Sequence, residues 1–477
     1  MTKSWSQLIR SRLVWNPPTD GDPRQFSRSR KFVLVALVAI ASILPGFCST
    51  IILPALEDIQ RTMGASSIGV TLANSFYMLF MGIAPIFYSS ISDHYGVRRV
   101  IYIGSMLIFT ASSLAAVWVR NIWVLLVMRI LQSIGISAPW SIGAGTIADM
   151  YEVHERGNAL GIIFAGQFAG PMIGPLLGGF LTEAGGWEAI FWLLFALGAF
   201  MVVVMFFFME ESYRDESYYN QAIEKGEEER EEVGLEDIGK ASDSDNQTIT
   251  VVKSKKMNLL APLLLLRHPF VLIPAMETGW TFGCMFAIEN ILPTLYTNTY
   301  GWSPGSIGLS FLSPGLGEVI GAFVGGRMSD YFLNRAKDKR GGKAVPEDRL
   351  VPSLWPSGFV LMPLSILMFG WPIALGWSIW WSIIFFGVLC FAMVQCFSCC
   401  AAYLVDTVVG RGASVMSASN LVRMILSCVL SAIANPMMAA VGPGYVCLLF
   451  AALNFFWMFL LVLLKTHGSQ LRQWSGY

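Results

Sequence analysis

Five ionisable side chains lie deep inside long apolar stretches of this sequence: Arg129, Glu277, Glu289, Glu318 and Arg423. A charged residue at the centre of a bilayer costs roughly 2.5–3.5 kcal/mol on insertion scales, which makes each of them a functional candidate. Burial favours the neutral form of a carboxylic acid, so a buried glutamate can bind and release a proton reversibly. We therefore expect Glu318, Glu277 or Glu289 to carry protons. The structural alternative is a fixed Glu–Arg pair that holds helices together.

Polar and aromatic residues in the same stretches are candidates for lining a central cavity. As a set they suit a flat or cationic organic molecule, because aromatic faces attract cations. The two arginines leave an anionic metabolite open as a cargo, and packing or lipid contact remains the alternative for each residue. The candidates are Asn74, Tyr77, Arg129, Gln132, Trp140, Gln167, Trp280, Asn290, Gln395, Asn420 and Arg423.

The composition indicates what kind of element positions these side chains. Of the 477 residues, 55% are hydrophobic and 13% are charged, whereas an average soluble chain has about 25% charged residues. This excludes a soluble globular enzyme and a disordered protein as the default. The formal net charge is zero, so the total shows no sign of a nucleic-acid partner.

The hydropathy pattern predicts an all-α membrane protein with twelve transmembrane helices in two pseudo-symmetric six-helix halves. About 20 apolar residues are needed to cross the roughly 30 Å hydrocarbon core of a bilayer. The predicted spans are 32–53, 68–90, 99–118, 122–147, 159–182, 188–209, 270–296, 305–329, 353–373, 377–401, 413–438 and 443–464. The predicted parts are therefore an N-terminal tail (1–31), a first half (32–209), a charged linker (210–267), a second half (268–464) and a C-terminal tail (465–477).

Basic residues are distributed unevenly across the predicted membrane. If the N-terminus is cytoplasmic, the external gaps between spans contain Arg61 and Arg120 as their only basic residues. This is the positive-inside pattern, and it predicts that both termini and the linker are cytoplasmic. We interpret the acidic run at 227–232 as a solvated linker, with a regulatory or partner-binding role as the alternative.

The two halves repeat a short pattern where a span reaches the cytoplasm. SSISDHYGVRR (89–99) follows the second span and GGRMSDYFLNR (325–335) ends the eighth. Both place an aspartate, Asp93 or Asp330, at the helix exit with basic residues after it. Such an aspartate could pair with a basic residue and stabilise one conformation, or form an ordinary interfacial salt bridge worth about 1 kcal/mol or less. We interpret Asp149 and Asp406, at other cytoplasmic helix ends, as capping or latch residues.

Glycines recur every four residues in the fifth predicted span, at Gly166, Gly170, Gly174 and Gly178. A stripe of small residues lets a neighbouring helix approach closely, and Pro171 and Pro175 in the same span favour bending. The stripe therefore predicts tight helix packing, either alone or as a hinge or seal between two halves that open alternately.

Several motifs resemble those of the major facilitator superfamily. SSISDHYGVRR resembles its loop 2–3 signature, with Asp93, Gly96 and Arg98 in place, although Ser89 and His94 stand where the family usually has Gly and Arg. MRILQSIG (128–135) resembles the helix-4 signature. GPMIGPLLGG (170–179) resembles the helix-5 signature of the antiporter branches. The residues that carry the helix-5 resemblance are Gly170, Gly174, Pro175, Gly178 and Gly179.

The resemblance is closest to the fungal twelve-spanner drug:proton antiporters, including multidrug and secondary-metabolite exporters. It implies the major facilitator fold, a latch role for Asp93, Gly96, Arg98, Asp330, Asp149 and Asp406, and transport by alternating access. No Walker A, HExxH or GxSxG motif is present, so we expect no enzyme activity and an ion gradient as the energy source.

The sequence thus predicts a proton-coupled exporter of small organic molecules. The alternative is uptake or facilitated transport of a polyamine, organic acid or other small metabolite by the same fold. A sensor that signals through the linker is a more distant rival. We expect no cofactor and no metal, since the CxxC at 396–399 has no histidine nearby. We also expect a monomer in the plasma membrane, with the vacuolar membrane as the alternative.

Overall fold

A computed structural model describes residues 22–151, 156–214, 261–341, 345–408 and 412–476. Eleven helical segments in these ranges are long and apolar enough to cross a membrane. A further helix of 30 residues, Arg156–Gly185, packs among them. The described residues therefore contain the predicted number of long helices.

We number these helices α1 to α12 in chain order. The helices α4, α8 and α9 each consist of two consecutive pieces. The bounds are α1 Arg28–Thr50, α2 Ser67–Tyr95, α3 Arg99–Ala116, α4 Ile122–Ile136 and Ala138–Met150, α5 Arg156–Gly185, α6 Glu188–Phe208, α7 Pro269–Tyr300, α8 Pro304–Ser310 and Leu312–Lys339, α9 Ser353–Leu361 and Met362–Ala374, α10 Ile379–Thr407, α11 Gly412–Val441, and α12 Pro443–Trp474.

Local sequence signals set several helix ends. Ser66 caps α2 by accepting a hydrogen bond from the Gly69 backbone N–H at 3.2 Å, and Ser303 caps α8 in the same way. Such side-chain oxygens satisfy N–H groups that the first helical turn leaves unpaired. At the other end of α2, Gly96 has φ +64°, a left-handed conformation that glycine adopts without steric cost. These caps therefore determine where α2 and α8 begin and where α2 ends.

The helices form two packed halves, α1–α6 and α7–α12. Within the first half α1 packs along α5, and within the second half α7 packs along α11. The halves meet where α2 packs on α11 and where α5 packs on α8. These two interfaces are equivalent under a repeat of six helices, which agrees with the sequence repeat. We call the end of the bundle at which the linker begins and ends the linker face, and the opposite end the far face.

The glycine stripe of α5 contacts its own half. A Cβ atom added at Gly170 would lie 2.3 Å from the Ile43 carbonyl oxygen, and one at Gly178 would lie 1.9 Å from the Ile51 oxygen, both on α1. The expectation that this stripe seals the two halves is therefore wrong, because it joins α1 and α5. The seal is formed by other glycines, Gly179 on α5 and Gly308 on α8. Their added Cβ atoms would lie 2.3 Å from the Pro304 oxygen and 2.4 Å from the Pro175 oxygen.

Candidate functional site

The second half contains two buried carboxylates. Glu289 of α7 is 2% exposed and Glu318 of α8 is 3% exposed. A charge on Glu289 disfavours a charge on Glu318, and both carboxylates act on Cys390 of α10 in the same way. The Oε2 atoms of the two glutamates are buried without a hydrogen-bond partner. Because a buried charge is costly unless it is paired, this arrangement favours carboxyl groups that hold protons.

Glu277 lies about two turns inside the linker end of α7 and is fully buried. The Cys400 thiol of α10 lies 3.4 Å from its Oε2 atom, and its Oε1 atom has no partner. In the described part of the chain, no arginine or lysine forms an ion pair with Glu277, Glu289 or Glu318. The fixed Glu–Arg pair is therefore not the arrangement seen in this conformation.

Arg129 of α4 is the centre of a buried polar network in the first half. Its Nη1 atom donates to the Cys48 carbonyl oxygen at 2.9 Å and to Gln132 at 3.2 Å, and its Nη2 atom donates to Asn74 at 2.9 Å. The guanidinium also lies 4.2 Å from the centre of the Tyr77 ring. Arg129 is fully buried, so its charge is stabilised by neutral oxygens and a π face rather than by an acid.

The network continues across the boundary between the halves. The Asn74 side chain donates to Asn290 of α7 at 3.2 Å, and Asn290 in turn donates to Ser431 of α11. Ser75 of α2 also donates to Ser431, at 3.2 Å. Four predicted cavity residues, Asn74, Arg129, Gln132 and Asn290, thus form one hydrogen-bonded cluster that joins the halves, with Tyr77 packed against it.

Arg423 of α11 has a different environment from Arg129. Its guanidinium packs against two aromatic rings, 4.5 Å from the centre of Phe282 and 4.7 Å from that of Phe397. Its Nη2 atom donates to Asn420 at 2.5 Å, and its Nε atom is buried without a partner. Phe168 of α5 lies edge-on to Phe397 at 6.2 Å, so residues of both halves surround this position. The side chain of Arg423 is half-buried.

The remaining predicted cavity residues belong neither to the hydrogen-bonded cluster around Arg129 nor to the group around Arg423. Gln395 points toward α8 and α9, where it contacts Met328 and Ser357. Trp280 packs edge-on against Phe450 of α12. Trp140 donates to the Ser42 carbonyl oxygen of α1 at 3.1 Å. Gln167 is half-buried on α5.

Contacts between the halves seal the bundle from its centre to the far face. Near that face, Thr71 of α2 accepts from Asn435 of α11 at 2.7 Å. On the other interface, the Gly305 backbone N–H at the start of α8 donates to Glu183 of α5 at 3.0 Å. Together with the close glycine contacts of Gly179 and Gly308, these hydrogen bonds hold the far face shut.

The linker face of the first half is held by Arg98. Its Nε atom lies 3.1 Å from the Asp149 carboxylate, and its backbone N–H donates to Glu211 at 2.9 Å. A Cβ atom at Gly96 would lie 3.2 Å from the Tyr213 ring, which itself packs under the Arg98 guanidinium. The predicted latch residues Gly96, Arg98 and Asp149 thus come together inside one half. The side chain of Asp93 lies outside the described residues.

The second half has an equivalent arrangement around Arg349. Its Nη1 atom lies 2.6 Å from Asp330 and its Nε atom lies 2.6 Å from Asp406. Both predicted latch aspartates of this half therefore share one arginine. Each ion pair described here, Arg98–Asp149 and Arg349 with its two aspartates, connects helices of the same half.

Sequence reasoning missed Glu211 and Arg349 as members of these clusters. Glu211 follows α6 at the start of the charged linker, so composition grouped it with the linker. It is buried and also accepts from the Arg99 backbone N–H at 3.1 Å. For Arg349, a signal was available in the repeat. Arg349 follows the helix end that carries Asp330, as Arg98 follows the helix end that carries Asp93.

The comparison with known families decides what kind of bundle this is. The model of the Major Facilitator Superfamily matches residues 38–432, which is most of both halves. The chain belongs to the major facilitator superfamily. It is therefore a multi-pass membrane transporter of small molecules and not an enzyme, and the resemblance seen in the motifs is confirmed.

Curated relatives of this superfamily member are fungal transporters. The MFS transporter cpaT of Aspergillus oryzae is 31% identical over 437 residues, covering 90% of this chain and 86% of the relative. The MFS antiporter QDR3 of Candida albicans is 25% identical over 565 aligned residues, covering 96% and 80%. The identity is low, so these relatives support the type of transporter rather than a particular cargo.

Solved structures of the superfamily share the fold. A bacterial homologue of the human lysosomal transporter Spinster, solved in an inward-facing and unoccupied conformation, aligns with a TM-score of 0.62 at 16% identity. The alignment covers 94% of this chain and 97% of that chain. The prediction of two six-helix halves in a major facilitator fold is confirmed.

Proposed function

We propose that this transporter is a proton-coupled exporter of small organic molecules that works by alternating access. The observation that carries the proposal is the pair of buried carboxylates, Glu289 and Glu318, whose Oε2 atoms are buried without a hydrogen-bond partner and which form no ion pair in the described part of the chain. Such a pair is stable when protonated and unstable when charged. Loss of its protons therefore requires water or another partner, which a change of conformation can supply.

The position of the pair fits this role. Glu289 lies 11 residues from the far end of α7 and Glu318 lies 14 residues from the far end of α8. At 1.5 Å per residue, both are about 16–21 Å from the far face, close to mid-membrane. The seal through Asn74 and Asn290 includes the residue next to Glu289. Opening of the far face would thus change the surroundings of the proton site.

The direction of transport follows from exchange with protons. A relative carries the name antiporter, and the charge asymmetry of the sequence places the linker face in the cytoplasm. Protons that enter a cell down their gradient, in exchange for cargo, drive the cargo out. A membrane potential supplies about 2.3 kcal/mol per charge per 100 mV for this exchange.

The first prediction concerns Glu318→Gln, which keeps the shape of the side chain but cannot release a proton. In a transporter-depleted yeast that expresses the chain, we expect lowered accumulation of some cationic drug, polyamine or weak organic acid, and a protonophore should reverse it. The Glu318→Gln variant should lose this uphill export. Accumulation measured with and without the protonophore is the readout.

The control is Glu188→Gln, the same chemical change at a half-buried residue near the far face that pairs with Arg120. It should export like the parent protein. Unchanged uphill export by Glu318→Gln would contradict the assignment of the proton site. Raised accumulation, or an effect that the protonophore leaves unaltered, would favour the uptake or facilitator alternative.

A further inference from the structure

The five ionisable side chains inside the membrane differ in accessibility, and this difference bears on the charge of the cargo. Arg129 and Glu277 are 0% exposed, and Glu289 and Glu318 are 2% and 3% exposed. Arg423 is half-buried. The intramembrane charge that a molecule between the halves can reach in this conformation is therefore positive.

Arg423 has unused hydrogen-bonding capacity. A guanidinium carries five N–H donors, and the hydrogen bonds of the Arg423 side chain comprise one donation, to Asn420. Its Nε atom is buried without a partner, and none of the three intramembrane glutamates approaches it as an ion pair. The Nε atom of Arg129 is also buried without a partner, but both of its Nη atoms donate to carbonyl or amide oxygens.

Phenylalanine rings form an apolar surface around the Arg423 guanidinium. Phe282 and Phe397 both pack against the guanidinium and lie edge-on to each other at 5.5 Å. Phe168 extends the group from the first half. We call Phe168, Phe282 and Phe397 the phenylalanine frame. Ring faces stabilise the arginine cation in the absence of cargo and offer surface for a flat ligand.

The depth of Arg423 separates it from the proton site. It lies 11 residues from the linker end of α11, or about 16 Å at 1.5 Å per residue. The described seal between the halves runs toward the far face, through Asn74, Asn290 and Asn435. Arg423 is therefore on the linker side of the seal, where a cytoplasmic cargo would arrive first.

We propose that the cargo is an organic anion whose acidic group pairs with Arg423 and whose flat apolar body packs against the phenylalanine frame. This inference rests on the proposed export function and names its substrate class. A carboxylate binds guanidinium through two parallel N–H bonds, which match the unused donors. A cationic cargo would instead meet an arginine with the same sign of charge.

The test uses two dyes with the same xanthene scaffold and opposite charge, fluorescein as the anion and rhodamine 123 as the cation. Fluorescence anisotropy with the purified full-length chain in detergent measures their binding. We expect fluorescein to bind more tightly than rhodamine 123. The Arg423→Gln variant should weaken fluorescein binding by about tenfold or more, as expected when one partner of a buried charge pair is removed.

Three comparisons make the result specific. The Arg335→Gln variant removes a positive charge at an exposed position of α8 and should bind fluorescein like the parent. The Arg423→Lys variant keeps the charge and should retain part of the affinity. Size-exclusion chromatography of each variant establishes that the chain is folded.

The proposal would be overturned by tighter binding of rhodamine 123, by equal fluorescein affinity of the parent and Arg423→Gln, or by no fluorescein binding to the parent. Other results would distinguish a failure of the anion assignment from a failure of the proposed export function. Proton-driven export of a cationic drug by yeast that expresses either the parent or Arg423→Gln would support proton-coupled export and overturn the anion assignment. Absence of protonophore-sensitive export would contradict the proposed function itself.

Discussion

In the proposed mechanism, Glu289 and Glu318 act as one proton-binding unit rather than as two separate residues. Their side chains come from adjacent helices, interact electrostatically and share Cys390 as a neighbour. When two ionisable groups interact strongly, their protons are taken up and released by the pair. The contribution of one carboxyl group to coupling therefore depends on the presence of the other.

This pairing predicts non-additive effects of mutation. Glu289→Gln and Glu318→Gln should each abolish uphill export, and the double variant should be no worse than either single variant, because residues that act as a unit are not additive. Initial rates of protonophore-sensitive export provide the measurement. Partial effects that multiply in the double variant would show that the two glutamates act independently.

Sequence alone could not identify this pair. Helical spacing showed that Glu277 and Glu289 face different sides of α7, because they are twelve residues apart. It could not show which neighbouring helix each side faces, since that depends on how α7, α8 and α10 pack. The same limit applies to Arg423, whose three phenylalanines come from helices α5, α7 and α10.

At the scale of elements, the sequence predicted helix positions well and their ends less well. The third predicted span, 99–118, corresponds to α3 at Arg99–Ala116. By contrast, α12 was predicted to end at 464 and continues to Trp474. Hydropathy records where the chain leaves the apolar layer, whereas backbone hydrogen bonds continue the helix beyond it.

The interface between α5 and α8 leads to a prediction about the far-face seal. Gly179→Ala places a Cβ atom 2.3 Å from the Pro304 carbonyl oxygen of the other half. Overpacking of this kind costs roughly 1–3 kcal/mol, which we expect to favour separation of the halves at the far face. A cysteine introduced at the buried Ser75 of α2 should then react faster with a membrane-impermeant thiol reagent applied to that face.

Two other glycines serve as controls for this experiment. Gly104→Ala on α3 adds a Cβ atom with no heavy atom within 4 Å and should leave the reaction rate unchanged. Gly178→Ala strikes the α1 backbone and should lower the yield of folded protein instead. Equal labelling rates for Gly179→Ala and Gly104→Ala would contradict a seal at this contact.

At the scale of the whole molecule, the two halves contact each other directly through α2 with α11 and α5 with α8. Their association therefore does not depend on the acidic linker. Near the start of the linker, Arg214 pairs with Asp22 at 3.0 Å. A deletion that begins at residue 215 leaves this ion pair in place.

We predict that deletion of residues 215–250 leaves export unchanged. Residues 251–260 still reach up to about 33–36 Å when extended, and we expect this length to connect the two halves. Export by the deletion variant and the parent, compared at equal amounts of membrane protein, tests this. Loss of export in a correctly inserted variant would instead indicate a regulatory or signalling role for the linker.

The glycine contacts between α1 and α5 have a practical consequence for spectroscopy. Because the α5 glycines lie against α1 carbonyl groups, these two helices have little freedom to change their separation during a transport cycle. Spin labels at exposed sites such as Ile40 on α1 and Phe180 on α5 should report one narrow distance distribution with or without cargo. That pair would serve as an internal ruler, and any broadening between labels on α5 and α8 could then be assigned to movement of one half relative to the other.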